Sequence, residues 1–275
     1  MKKSLLFLCC FFIAWSADAQ QQYTGNWDTY IMDVDNRPAT VMVDLGFGGS
    51  EVAKERPNVI IVSVRLIAVL QNGMPSEKES KVLDEVEDRL VDTLNDGLQA
   101  LYTGRFTKNG RRDFYFYSND TSDYRLLVSE ALRKYPAFKW MAVARPDKEK
   151  SNYFNVLYPT SKEMERIQNR RVVDDMKEKG DVLTAPRRVD HFIYFKTEAD
   201  RKKYASIVQD SGFVIENAGK ELGAVNRPYS LQISRADRID YASIDKVTLY
   251  LWELALKHFA KYDGWETFVV KEGGQ

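Results

Sequence analysis

A stripe of five apolar residues, Leu83, Val86, Leu90, Leu94 and Leu98, constrains this chain more than any other pattern in it. Their three- and four-residue spacing draws one buried face of a long helix. Ser76 stands where it can cap that helix. A β-branched run, Val59 to Leu70, precedes it as a strand and closes at Gln71-Asn72-Gly73-Met74-Pro75. Two strands follow, Leu101 to Thr107 and Arg112 to Ser118, joined through Lys108-Asn109-Gly110-Arg111. The Asn-Gly pair predicts a type I′ hairpin, whose turn needs positive φ twice. A helix over Thr121 to Tyr135, stopped by Pro136, and a strand over Phe138 to Ala144 complete β-α-β-β-α-β, the ferredoxin-like order. Two more strands, Trp27 to Val34 and Pro38 to Phe47, lead into it around Asp35-Asn36-Arg37.

The rhythm then returns. Arg145 to Ser151, a charged run with a proline, is the best linker candidate. A short apolar stretch, Tyr153 to Tyr158, and an amphipathic helix over Ser161 to Lys179 follow. Next come a strand at His191 to Phe195, a helix at Glu198 to Gln209, and strands at Gly212 to Glu216 and Tyr229 to Arg235. A helix from Ala242 to Lys261 and a strand at Glu266 to Val270 end the set. The fold class is therefore α+β, as two tandem ferredoxin-like sandwiches with antiparallel sheets. The expected division is 1–19 as a signal peptide, 20–147 as the first domain, 148–160 as linker and 161–275 as the second domain.

The N-terminus reads as an export signal. Lys2 and Lys3 precede an apolar run from Leu5 to Trp15, and Ala17-Asp18-Ala19 gives a small-x-small cleavage pattern. Such a run is shorter than the ~20 residues a membrane-spanning helix needs. Cleavage after Ala19 predicts a periplasmic or secreted protein with no transmembrane helix in the mature chain. It also removes Cys9 and Cys10, the only two cysteines, so the mature core must hold together without disulfides. The mature chain carries 38 basic and 39 acidic residues in no basic block, which gives nucleic acid no electrostatic footing.

Chemistry is sparse. His191 and His258 are the only histidines, and no His-x-x-x-His or Glu-x-x-His pair offers a metal site. His191, beside Asp190, reads either as an oriented base or as a strand residue with its polar edge hydrogen-bonded. His258 reads as a helix-terminal partner for carbonyls. No Gly-x-Ser-x-Gly elbow exists, and Gly46-Phe47-Gly48-Gly49 lacks the context of a phosphate loop. Neither catalytic residue, cofactor nor metal is expected. Strand alternation sets Arg112, Phe114 and Phe116 against Asp113, Tyr115 and Tyr117, and helices on one face would leave one aromatic row free.

Several strings carry family resemblances. In the second half these are the strand around His191, Tyr204 and Ile207 on a helix, Gly212-Phe213, and Tyr262-Asp263-Gly264-Trp265 after the last long helix. From about Ser161 to Lys271 the chain resembles the RraB family, regulators of ribonuclease E activity. In the first half Trp27, Arg105 to Thr107 and Arg112-Asp113-Phe114-Tyr115-Phe116-Tyr117 resemble the bacterial domain of unknown function 695. The RraB resemblance implies a regulatory module with a protein partner and no catalysis. Two features depart from that family. Residues 161–275 carry 20 basic and 19 acidic residues where RraB is strongly acidic, and the export signal separates this chain from a cytoplasmic ribonuclease. Direct inhibition of ribonuclease E is not expected.

The leading expectation is an exported, non-enzymatic protein-binding module. Its candidate patch is Arg188, Asp190, His191, Tyr262, Asp263, Trp265 and Glu266. In Tyr262 to Glu266, Asp263-Gly264 reads as the turn from helix to edge strand with Trp265 in the core. The other reading is an exposed contact patch. The alternative function is a hydrolase-type enzyme at the domain interface, using Asp190 and His191 with Arg187 and Arg188.

Overall fold

The computed structural model describes residues 23–221 and 226–271, so the export signal lies outside the described residues. The first unit opens with the hairpin β1 (Trp27–Asp33) and β2 (Pro38–Asp44), followed by one helical turn, α1 (Glu51–Lys54). Then come β3 (Asn58–Arg65), α2 (Glu77–Leu98), β4 (Leu101–Lys108), β5 (Arg111–Ser118), α3 (Tyr124–Leu132) and β6 (Trp140–Pro146). The sheet runs β1-β2-β4-β5-β3-β6 with every pair antiparallel. From β3 onward this is the ferredoxin-like arrangement, and the β1–β2 hairpin widens it at the β4 edge.

The expected stripe forms as read. Leu83, Val86, Leu90, Leu94 and Leu98 are all buried against β3 and β5, together with Val128 and Leu132 of α3. Ser76 caps α2 by accepting from the Glu79 N–H. The β4–β5 turn has positive φ at Asn109 and Gly110, as a type I′ turn requires. Strand β3, however, stops at Arg65 and not Leu70. The carboxylate of Glu79 accepts from the N–H groups of Ile67 and Ala68 and draws the chain out of the sheet.

The opposite face of this sheet is covered too. Tyr115 and Tyr117 are buried there with Val41, Val43, Phe47, Tyr153 and Leu157. The expected free aromatic row does not exist, because Tyr153–Leu157, a single wide helical turn, closes over it. Tyr153 donates to the Asp44 carbonyl at 2.7 Å, and Tyr117 donates to the Asp147 carboxylate at 2.6 Å. The stretch 148–160 therefore packs on the first sheet.

The second unit comprises α4 (Ser161–Glu178), β7 (Arg187–Phe195), α5 (Glu198–Asp210), β8 (Val214–Lys220), β9 (Tyr229–Asp237), α6 (Tyr241–Lys257) and β10 (Lys261–Glu266). Its sheet order is β10-β7-β9-β8, again antiparallel throughout and ferredoxin-like. Helices α5 and α6 cover one face around Ile193, Phe195, Leu231 and Ile233.

Helix α4 joins the units. Its Ile167 sits in the first unit's cluster, while Val173 and Met176 pack with Val189 and Ile244 in the second. From β1, the Asp28 carboxylate accepts from Arg170 and, at 2.7 Å, from Arg171.

One sequence expectation fails at the end of the chain. The sequence pattern carries the helix to Lys261, with the turn at Asp263-Gly264, but α6 ends at Lys257. Phe259 takes φ of 53°, and the Ala260 N–H donates to the Ala255 carbonyl at 2.8 Å. That is a Schellman closure with Phe where Gly is usual. The final strand therefore starts at Lys261, and Tyr262 to Glu266 lie within it.

Candidate partner-binding face

Strand β7 sorts the candidate residues by its pleat. Val189, His191, Ile193 and Phe195 are buried under the helices, and Arg188, Asp190, Phe192 and Tyr194 point to the other side. Strand β10 adds residues to both sides through a bulge between Tyr262 and Trp265. Residues three apart face opposite ways in a regular strand. The extra residue in the bulge, with Gly264 at φ 104°, restores both rings to the helix side. Tyr262 thus pairs with Ile193, Trp265 with His191, and Glu266 with Asp190.

The candidate patch is accordingly split. On the helix side, His191 is fully buried, and its Nδ1 lies 2.9 Å from the Tyr262 hydroxyl. Among the described residues, its Nε2 has no hydrogen-bond partner. Burial, aided by the Arg235 cation, pushes the imidazole down to about 3, so the ring is neutral at physiological pH. Trp265 is half-buried, and its indole N–H donates to Asn169 Oδ1 of α4 at 2.8 Å. Asn169 in turn donates to Asp245 at 2.8 Å and to Thr248 at 2.7 Å. The Tyr262 and Trp265 rings are structural: one backs His191, the other fastens α4.

On the open side the charged members form a network. Arg188 grips Asp190 with two nitrogens at 2.7 and 2.9 Å and reaches Glu216 of β8 at 3.3 Å. Gln232 donates to Asp190 at 3.0 Å, and Ser234 donates to Glu216 at 2.6 Å. The Arg188 guanidinium holds the Asp190 carboxyl below its usual range. Glu266 stands exposed beside Asp190, and Asp263 pairs with Lys261 at 2.5 Å. Phe192 and Tyr194 are half-exposed between these charges. Among the described residues, no helix packs on this face.

The enzyme alternative needs Asp190, His191, Arg187 and Arg188 in one cleft, and they are not assembled. Adjacent strand residues point to opposite faces, so the sheet itself separates His191 from Asp190. Arg187, on the buried side, clamps Asp181 and the carbonyls of Val182 and Phe268. His258 ends α6 with its N–H bonded to the Leu254 and Ala255 carbonyls. Among the described residues, no three His, Cys, Asp or Glu side chains gather where a metal ion could be held.

A feature with no sequence signal lies between α4 and α6. A cavity of about 480 Å³ is lined by Tyr158, Glu165, Arg227, Trp252, Lys261 and Tyr262. Burial, then the Asp263 charge, pushes the Glu165 carboxyl up to about 7. Glu216 was also missed. It stands at the β8 bulge between Ile215 and Asn217, on the same side as Val214, and meets Arg188 at 3.3 Å.

These observations define a tandem of ferredoxin-like α+β units, one sheet wrapped on both sides and the other open on one. Residues 25–158 match the family described as "Family of unknown function (DUF695)". Residues 166–267 match "Regulator of ribonuclease activity B". The two halves therefore carry the two family assignments that their motifs implied. No curated protein matches the chain. Among solved structures, an unknown protein from Galdieria sulphuraria aligns at 9% identity over 78% of this chain and 99% of its own, with a TM-score of 0.22. A putative glycine cleavage system transcriptional repressor aligns at 8% identity over 77% of this chain and 98% of its own, with a TM-score of 0.24.

Proposed function

We propose that this chain is an exported, non-enzymatic regulatory module whose RraB-like unit binds a protein partner. The observation that carries the reading is the open face of the four-stranded sheet within the segment matching the regulator family. Arg188, Asp190 and Glu216 are set among the half-exposed Phe192 and Tyr194 on it. A charged network interleaved with aromatics on a rigid sheet suits a protein surface, since aromatics and arginine supply most interface hot spots. The scattering of His191, Asp190 and Arg187 across two faces favours binding over catalysis.

The partner proposed is an exported protein and not a cytoplasmic ribonuclease, on the strength of the Leu5 to Trp15 apolar run and the Ala17-Asp18-Ala19 site. Among the described residues, no helix is long and apolar enough to cross a membrane. The test is a matched pair of baits, mature protein and its Arg188→Glu variant, presented to the exported fraction. A partner retained by the first and lost by the second supports the reading. Equal retention by both removes this face from it. Cell fractionation with N-terminal sequencing tests export, and a mature chain starting at Gln20 is expected.

A further inference from the structure

The two sheets have four edge strands, and three of them are guarded against further pairing. Strand β1 carries Asp28 and Asp33 and lies against α4. Strand β8 carries Glu216 and Lys220 and is bulged, while β10 carries Lys261, Asp263 and Glu266 and is bulged. Charges, bulges and covering helices are the usual defences of a sheet edge. Strand β6 ends in Arg145 and Pro146 and has α3 under its buried face, but across Trp140-Met141-Ala142-Val143-Ala144 it carries no charge, and it pairs with β3 without a register shift.

Its hydrogen-bonding capacity is legible from two bonds. The Arg65 N–H donates to the Lys139 carbonyl, and the Asp147 N–H donates to the Pro57 carbonyl. Antiparallel pairing alternates inward and outward peptide groups, so odd-numbered residues face β3. Trp140, Ala142 and Ala144 then present their N–H and C=O groups outward. The side chains of Trp140, Met141 and Val143 are exposed along the same edge. Cations flank this apolar stretch. Arg65 and Lys139 stand exposed at one end without an ion-pair partner among the described residues, and Arg145, held by Asn152, stands at the other. The nearby Asp113 is buried and already paired with Arg111.

We propose that β6 is a strand-accepting edge for an extended segment of another protein, apolar at alternate positions and acidic at both ends. Backbone pairing supplies the adhesion and the flanking charges supply the selection. A second copy of this chain fits less well, because antiparallel self-pairing about Ala142 sets Lys139 against Arg145 twice. The edge belongs to the first unit, so the inference stands or falls apart from the Arg188 face of the second.

The test uses the mature protein and a labelled peptide, Asp-Glu-Val-Thr-Val-Thr-Val-Glu-Asp, with a twin in which the four acidic residues are lysine. Fluorescence anisotropy is expected to show the acidic peptide binding at least about tenfold more tightly, with the margin narrowing as salt rises. Ala142→Pro replaces an outward N–H and spares the β3 ladder, and it is expected to weaken binding about tenfold or more. Val143→Lys, at an exposed position, repeats the test should the proline variant misfold. Lys139→Glu is expected to reduce the preference between the two peptides. No binding of the acidic peptide, equal binding of both, or indifference to both Ala142→Pro and Val143→Lys overturns the proposal. So does a dimer of the unliganded protein that Val143→Lys dissolves.

Discussion

The Tyr262 hydroxyl and His191 Nδ1 meet at 2.9 Å across the β10–β7 ladder, both under the helices. The pairing gives His191 a structural partner and, among the described residues, leaves its Nε2 without one and sealed from water. Tyr262→Phe removes that partner and strands the ring. A loss of about 1–3 kcal/mol in chemical denaturation is expected, the usual cost of an unsatisfied buried polar group. An unchanged midpoint would mean that the contact carries no weight.

The same histidine sets a pH dependence. The unfolded ring takes a proton near pH 6.5, whereas the folded one resists until about pH 3. Below pH 6.5 the unfolded state binds the extra proton, so stability falls as pH drops through that window. The slope from this group is at most about 1.4 kcal/mol per pH unit. His191→Gln keeps an acceptor for Tyr262 and does not titrate. Denaturation from pH 7 to pH 4 is expected to show a shallower fall in that variant.

Glu165 pulls the other way. Its folded carboxyl titrates near 7 against an ordinary value of 4.5, because burial and Asp263 disfavour the charge. The folded state therefore holds the extra proton between those values, and ionising Glu165 destabilises it at higher pH. Glu165→Gln is expected to raise the melting temperature at pH 8 and to change it little at pH 4. A gain that does not depend on pH would place the effect in packing.

Trp265→Ala removes a half-buried indole and its bond to Asn169. A cost of about 2–3 kcal/mol is expected, below the ~3–5 of a fully buried aromatic. The loosened helix should also become a preferred site in limited proteolysis. Asp28→Ala cuts the tie from β1 to Arg170 and Arg171 and is expected to expose the same helix at a cost of about 1–3 kcal/mol.

The sequence was most legible where one physical demand acted alone. The α2 stripe needed only a helical period, and the Asn109-Gly110 turn needed only two positive φ angles. Reading faltered where tertiary contacts overrode local pattern. Glu79 shortens β3, the Tyr153–Leu157 turn hides Tyr115 and Tyr117, and Phe259 ends α6 without a glycine. The patch was half legible. Its charged members do share a face, but Tyr262 and Trp265 join His191 on the buried one because a bulge reverses the strand's alternation. Neither Glu216's arrival at Arg188 nor the cavity beside Glu165 could be read without the fold.

The central claim, that the open face of the second sheet contacts a protein partner, is tested most directly by photo-crosslinking in living cells. A photoreactive residue replaces Phe192 on that face, and in a matched strain replaces Leu256, exposed on α6. A discrete adduct from position 192, absent from position 256 and lost on adding Arg188→Glu, is the predicted result. Adducts from 256 alone, or from 192 irrespective of Arg188, would contradict it.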